Sequence, residues 1–132
     1  MRRLLIFVVC VNLLAWAVCE IDYRARTPAP VRAFQRHRSA FEQVVAAAKD
    51  GSFPLRNDGQ GYQLTGELWN QDVRYIRWDD GCLWFIFATG PIWPTDIIVY
   101  SPRGRKGMPN LDFSTLTDSR YLDENWLYMR SN

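Results

Sequence analysis

The most constraining feature of the sequence is an uninterrupted apolar run close to its N-terminus. Residues 4–19 contain no charged side chain, and Asn12 is the one polar residue among these sixteen. In a helix the run would span roughly 24 Å at about 1.5 Å per residue, and the hydrocarbon core of a bilayer is about 30 Å thick. We therefore expect residues 4–19 to enter a lipid bilayer, either as an anchor or as an export signal.

Three fates of this leader remain open. An uncleaved signal anchor would occupy residues 1–22. A cleaved signal peptide would end after Ala17 or Cys19, where small residues resemble a signal-peptidase site. Lipid modification of Cys19 is the third. In each of them the rest of the chain leaves the cytoplasm, and cleavage would release it as a secreted protein.

The charges that flank the apolar run predict its orientation. Arg2 and Arg3 precede the run without any acidic neighbour, whereas acidic residues at positions 20 and 22 offset Arg24 and Arg26 beyond it. The positive-inside bias therefore favours a single-pass protein with a cytoplasmic N-terminus. The C-terminal domain is then extracytoplasmic, in a periplasm or at the cell surface. The residues expected at the membrane interface are Arg2, Arg3, Tyr23, Arg24 and Arg26.

A stalk and a helix are predicted to follow the leader. Residues 23–30 are expected to form the stalk, because Pro28 and Pro30 interrupt a continuous membrane helix. Residues 31–49 have the spacing of one amphipathic helix that ends at Gly51, a residue suited to a left-handed cap. The repeating stripe consists of Val31, Phe34, Arg38, Phe41, Val45 and Ala48. We expect this helix to pack on a sheet, with a helix on the membrane surface as the alternative.

The remaining sequence is typical of β-structure. The predicted strands, the first of them weak, are residues 61–68, 72–78, 82–89, 96–101 and 126–130. Residues 82–89 are apolar on both faces, which indicates a central strand, and Asp80-Gly81 before them suits a hairpin turn. Residues 111–122 are predicted to be irregular or short-helical. The predicted fold class is α+β: an N-terminal transmembrane or signal-anchor helix, one amphipathic helix, then a four- to five-stranded antiparallel β-meander, with residues 31–132 as one exported domain.

Charge is divided unevenly along the exported part. Residues 20–38 hold five arginines and two acidic residues, a net charge of +3. Residues 39–132 hold nine basic and twelve acidic residues, a net charge of −3. Basic residues beside a membrane are typical of contact with anionic headgroups. Because nucleic-acid binding requires a basic surface on the domain, we expect no nucleic-acid partner.

Residues that carry chemistry are sparse, which argues against catalysis and metal binding. His37 is the one histidine and lies between two arginines, whereas triads and zinc sites need further partners beside it. Cys82, the one cysteine beyond the apolar run, is expected to be a small buried residue. The acidic pairs Asp79-Asp80 and Asp123-Glu124 are typical of turns. We therefore predict no enzymatic activity, no cofactor and no metal.

Aromatic residues are the feature that most favours binding. Five tryptophans follow the apolar run, and most are expected in the core because a small sheet needs large side chains. Trp93 differs because it lies beside Pro94 in a stiff loop, and such tryptophans suit partner contacts. Core packing of Trp93 is the alternative. The candidate partner-binding residues are Trp93, Ile92, Arg103, Arg105 and Lys106.

These features together predict a small membrane-anchored extracytoplasmic protein that acts by protein–protein binding, without catalysis. An accessory, assembly or inhibitor/immunity-like factor fits this description. One alternative is a pilus or secretion-system subunit, although the glycine and glutamate diagnostic of pilin-like leaders are absent from the apolar run. A small-ligand binder or hydrolase with an unrecognised site is the other alternative. The predicted partners are the lipid bilayer, through residues 4–19, and an unknown protein.

Overall fold

The computed structural model describes residues 1–53, 61–87, 95–109 and 115–131. The helices are α1 (Arg2–Arg26), α2 (Ala29–Arg36), α3 (Arg38–Asp50) and α4 (Glu67–Asn70). The strands are β1 (Tyr62–Gln63), β2 (Val73–Asp79), β3 (Cys82–Phe87), β4 (Thr95–Tyr100), β5 (Leu116–Tyr121) and β6 (Trp126–Ser131). A 3-10 turn covers Gly104–Gly107. The predicted α+β class with an N-terminal apolar helix is confirmed.

Helix α1 is the longest element and buries none of its residues against the domain. Its 25 residues make it long and apolar enough to cross a membrane or to act as a signal sequence. The helix continues past the apolar run to Arg26, so residues 23–26, expected to begin a stalk, form its last turn. Thr27 then adopts an extended conformation, and Pro28 leads directly into α2.

The single amphipathic helix predicted over residues 31–49 is wrong in one respect, because the structure divides it into α2 and α3. The backbone leaves the helical region at His37, with φ −119° and ψ 28°. This break turns the chain so that Phe34 and Phe41, on different helices, both reach Trp126, with ring centroids 4.9 and 6.1 Å away. The predicted end at Gly51 is confirmed, since this residue caps α3 with φ 82°.

The sheet has six strands where four to five were predicted, and it is not a simple meander. The order is β1-β2-β3-β4-β6-β5, with every neighbouring pair antiparallel. Strand β6 therefore inserts between β4 and β5. Residues 111–122 were predicted to be irregular, but β5 covers Leu116–Tyr121. Its side chains are mostly exposed at the sheet edge, so the strand lacks the apolar signal on which the prediction depended.

The first predicted strand, residues 61–68, is also shorter than expected. Strand β1 holds two residues and pairs with β2, after which Leu64 turns into the core. Helix α4 then occupies the end of the predicted strand and buries Leu68. A short helix therefore stands where the end of an edge strand was predicted, and it packs Leu68 against α3.

Apolar side chains are buried on both faces of the sheet. The helix-facing core centres on Phe41, Phe85 and Trp126. The opposite face buries Cys82, Trp84, Ile86, Ile97, Val99, Leu127 and Met129. Every residue of β3 is buried, as predicted for a central strand. Each large apolar side chain that leaves water contributes about 1.5–3 kcal/mol, so the two faces together supply the main stabilisation.

Candidate functional site

The residues that the sequence singled out for partner binding divide into two groups. Ile92 and Trp93 lie outside the described residues, so their role stays a prediction. Arg103, Arg105 and Lys106 are exposed at the 3-10 turn that follows β4. Arg103 lies against Gly81 of the β2–β3 hairpin. The structure therefore brings these three basic side chains to one end of the sheet, beside its hairpin turns.

Arg105 is already engaged within the chain. Its Nε atom lies 3.6 Å from the Glu124 carboxylate. Its guanidinium carbon lies 4.4 Å from the ring centroid of Tyr121. An arginine held by an acidic side chain and an aromatic face presents less free charge to an acidic partner than the sequence suggested.

A different surface combines exposed aromatic rings with a cation, and we name it the Trp69 surface. It consists of Gly61, Gln63, Trp69, Arg74 and Tyr75, which line a depression of about 380 Å³. Trp69 is 37% exposed and Tyr75 40% exposed, unlike the core tryptophans Trp84 and Trp126. Two large aromatic side chains therefore reach solvent next to each other.

Local structure holds the Trp69 surface in place. The Arg74 guanidinium carbon lies 4.1 Å from the Trp69 ring centroid. The same guanidinium donates to the Trp69 carbonyl at 2.8 Å and to Asp72 Oδ1 at 3.0 Å. The register of β2 against β3 shifts between Val73 and Tyr75, and a bulge of this kind re-aims the side chain at its extra position. Arg74 occupies that position and closes over the indole.

Tyr75 is supported from below by a residue without a side chain. A Cβ atom on Gly61 would lie 2.4 Å from Tyr75 Cδ2, so the tyrosine ring packs directly on the Gly61 backbone. Across the strands, Tyr75 pairs with Gln63 of β1. The aromatic pair thus has a fixed position, which lowers the entropy cost of binding a partner.

Sequence reasoning missed the Trp69 surface because it treated most tryptophans as core residues. One signal was available: Trp69 is followed at once by Asn70, Gln71 and Asp72, a polar run that no core element would contain. The sequence around Tyr75, the second aromatic residue of the Trp69 surface, contains no such signal. Its strand alternates only partly, and the bulge at Arg74 changes which face each residue takes.

Of the residues predicted for the membrane interface, Tyr23, Arg24 and Arg26 lie where α1 meets the domain, whereas Arg2 and Arg3 begin α1 at its other end. Arg24 and Arg26 form ion pairs with Glu20 and Asp22 one turn earlier, each at 2.8 Å. The Tyr23 hydroxyl donates to Gln35 Oε1 of α2. The end of α1 is thereby tied to the first helix of the domain.

Two further arginines cap the end of α1. Arg32 donates from Nη1 to the carbonyls of Arg24 (2.9 Å) and Thr27. Arg120 of β5 donates from Nη1 to the carbonyl of Arg26 at 3.1 Å. These bonds satisfy carbonyls that a helix end leaves open, and the positive charge suits the negative end of the helix dipole. A cavity of about 410 Å³ lies beside this joint, between α2 and the end of β5.

A partly buried polar cluster between β4 and β6 is a satisfied structural network. Asp96 Oδ1 accepts from Tyr128 Oη and Arg130 Nε, both at 2.8 Å, and Oδ2 accepts from Arg130 Nη2 at 3.1 Å. Burial raises the pKa of Tyr128, and the bond to Asp96 raises it further. The same carboxylate raises the pKa of Arg130. Because both Asp96 oxygens already accept strong bonds, the arrangement suits structure and not proton transfer.

The other reactive side chains are occupied in a similar way. The His37 Nδ1 atom lies 2.7 Å from Glu67 Oε1, and this contact joins the α2–α3 corner to α4. The Cys82 thiol is buried and donates to the Gly107 carbonyl at 3.1 Å, and burial raises its pKa. Across the residues that the structure describes, no group of three or more His, Cys, Asp or Glu side chains is placed to hold a metal ion.

The Trp69 surface is therefore the candidate site, because it combines exposed aromatic area, a positioned cation and a rigid base. The joint between α1 and the domain is a separate polar assembly, and it ties the end of the leader to α2 and β5. No family model, no curated protein and no solved structure matches this chain.

Proposed function

We propose that this chain is a single-pass membrane protein whose extracytoplasmic domain binds a partner protein through the Trp69 surface. The observation that carries the proposal is the adjacent exposure of Trp69 and Tyr75, with Arg74 stacked on the indole. Tryptophan, tyrosine and arginine are the residues that most often dominate the binding energy of protein interfaces. A partner that covers this surface would bury both rings.

The chemistry around the Trp69 surface supports binding without catalysis. The guanidinium of Arg74 donates hydrogen bonds to Asp72 and to the Trp69 carbonyl. These bonds fix the group in place, so it serves to position the Trp69 ring. Glu67, at the start of α4, is paired with His37. The groups that remain available to a partner are aromatic faces and the Gln63 amide, which suit a packed interface with a polar rim.

The properties of the leader support the part of the proposal that places this binding at a membrane. Helix α1 has the length and apolarity of an anchor, and its flanking charges favour a cytoplasmic N-terminus. An accessory, assembly or inhibitor-like factor would use the anchor to stay close to its partner at the membrane. The candidate set of Ile92, Trp93, Arg103, Arg105 and Lys106 stays a prediction for a second contact. A pilus subunit would favour one continuous helix from the leader into the domain, whereas the chain breaks at Thr27 and at His37.

A photo-crosslinking experiment in native membranes tests the proposal. A photoreactive phenylalanine analogue replaces Trp69 in the full chain, and the same analogue replaces Thr117 as the control, since Thr117 is exposed on β5 at the far edge of the sheet. We expect one discrete adduct from position 69 and none of the same mass from position 117. Tyr75→Ala, made in the position-69 chain, should reduce the adduct strongly.

Two results would contradict the proposal. The first is an absence of adducts from position 69 in a chain that remains folded by circular dichroism. The second is the same adduct pattern from positions 69 and 117, because this would indicate chance contact. Protease treatment of intact cells tests the location separately, since digestion of the domain from outside requires an extracytoplasmic C-terminus.

A further inference from the structure

Asn12 places a polar amide in the middle of the apolar run of α1. The side chain is exposed, and its Nδ2 donates to the carbonyl of Val8 at 2.8 Å. An asparagine amide has two N–H donors and one carbonyl acceptor. Within the described residues, the bond to Val8 is the contact that Asn12 makes, so the acceptor and the second donor are left for a partner outside the chain. In hydrocarbon, where water is absent, such groups strongly favour a bonded state.

The residues around Asn12 form a stripe of the kind that packs against another helix. The stripe repeats at alternating intervals of three and four residues, which is the pattern by which two helices pack along one face. Its members are Leu5, Val8, Asn12, Ala15 and Cys19. All five are exposed. Ala15 and Cys19 are small, so they permit the close backbone approach on which helix packing in membranes depends.

We propose that α1 pairs in parallel with α1 of a second copy of this chain along this stripe, with the two Asn12 amides bonded to each other across the seam. The inference rests on the anchor of the proposed function. The same flanking charges orient every copy alike, so Asn12 of both copies lies at one depth. An amide both donates and accepts, which makes a symmetric pair complementary to itself.

Pairing of the anchors has a consequence for the domains. Two Trp69 surfaces would be held on one membrane side within a short distance of each other. A partner with two equivalent sites would then be bound with an increased effective concentration, without any new contact in the domain.

The cysteines of α1 offer a direct test, because they lie on different faces. Cys19 belongs to the stripe, whereas Cys10 lies two positions before Asn12 and points away from it in a helix. Two full-length chains are compared in membranes: one keeps Cys19 with Cys10→Ser and Cys82→Ser, and the other keeps Cys10 with Cys19→Ser and Cys82→Ser. Copper–phenanthroline is the oxidant. We expect a disulfide-linked dimer from the Cys19 chain and little from the Cys10 chain.

Substitutions in the Cys19 chain test the role of the amide. Asn12→Leu should lower the dimer association constant about three- to thirtyfold, the range that interhelical hydrogen bonds contribute in membranes. Ala15→Ile should lower it by steric separation, whereas Leu14→Ala, away from the stripe, should leave it unchanged. Dimer fractions are measured over a series of protein-to-lipid ratios.

Equal crosslinking of the two cysteine chains, or an unchanged association constant for Asn12→Leu, would overturn the pairing. The intact mass of the membrane-extracted chain shows whether the leader has been cleaved, and so distinguishes a lack of pairing from the loss of the anchor itself. Loss of residues 1–19 would overturn both the anchor and the pairing. An uncleaved chain that stays monomeric would overturn the pairing alone, and crosslinking from position 69 would still test the partner surface.

Discussion

Asp96, at the scale of single residues, carries a carboxylate that links two neighbouring strands. Its two oxygens accept three bonds from Tyr128 and Arg130, and Tyr128 itself is fully buried. The bonds join the first residues of β4 to the last residues of β6, which are neighbours in the sheet but distant in sequence. The network therefore fixes the crossover that places β6 beside β4.

This network predicts a loss of stability at alkaline pH. The pKa of Tyr128 is raised in the folded state, whereas an unfolded tyrosine has a pKa of about 10. Above about pH 10 the unfolded chain loses a proton that the folded chain keeps, so the free energy of unfolding falls as pH rises through this range. Tyr128→Phe removes this ionisable group, so the free energy of unfolding should fall less steeply with pH, by the contribution of at most one proton. Urea unfolding at pH 8 and pH 11 measures the difference.

The comparison at pH 8 gives the control for this prediction. Tyr128→Phe should cost about 1 kcal/mol there, because one buried hydrogen bond is lost while Arg130 still satisfies Asp96. An identical pH dependence in both proteins would contradict the raised pKa of Tyr128. Tyr75→Phe, on the exposed Trp69 surface, serves as a second reference because that side chain is 40% exposed.

The helices, at the scale of elements, are defined by their ends as much as by their apolar faces. Helix α2 begins after Pro28 and tolerates Pro30 in its first turn, where a missing N–H has no intrahelical acceptor. Helix α3 ends at Gly51 in the left-handed conformation, and the Ser52 N–H bonds back to the Ala47 carbonyl. Both signals are local, and the sequence predicted the end at Gly51, whereas α2 begins at Ala29, inside the predicted stalk of residues 23–30.

The cap of α3 predicts a graded response to substitution. Gly51→Ala should lower the free energy of unfolding by about 1–2 kcal/mol, because an L-residue with a Cβ is strained at this positive φ. Gly51→Asn should cost less, since asparagine tolerates the left-handed region. Space does not limit either variant, because nothing lies within 4 Å of the added Cβ. Thermal or urea unfolding distinguishes them, and equal losses would contradict the conformational explanation.

The joint between leader and domain is the feature that matters at the scale of the whole molecule. Arg32 and Arg120 reach the end of α1 from two different elements, and Tyr23 bonds to α2. If α1 stays in the membrane as proposed, a leader joined in this way would hold the domain in one direction relative to the bilayer. The Trp69 surface would then be presented to its partner in a constant orientation.

Removal of one cap should loosen this joint without unfolding the domain. Arg32→Ala is expected to increase the rate of tryptic cleavage after Arg26 about tenfold in nanodiscs, since hydrogen bonds from charged groups contribute about 1.5–3 kcal/mol to local opening. Arg36→Ala is the matched control, because its nearest acidic oxygen, on Glu20, is 3.9 Å away. Mass spectrometry of the fragments gives the rates. Equal rates for both variants would contradict a clamp at Arg32.

The sequence by itself determined the features that depend on neighbouring residues. The apolar leader, the helix interruption near Pro28, the cap at Gly51 and the central position of β3 all follow from spacing and turn chemistry within short windows. The Asp80-Gly81 hairpin turn is of the same kind, with φ 52° and 72°. Each of these is a local preference of the backbone or of a side-chain period, so the rest of the chain is not needed to read it.

Only the tertiary structure decided which residues meet. Strand β5 carries no apolar period, and it exists because β6 offers an edge after inserting beside β4. Trp126 is enclosed by rings from α2, α3 and β3, whereas Trp69 remains 37% exposed beside Arg74 and near the Tyr75–Gly61 contact. The amino-acid composition does not distinguish the buried tryptophan from the exposed one. Burial depends on long-range packing, and packing is a property of the assembled fold and not of any one segment.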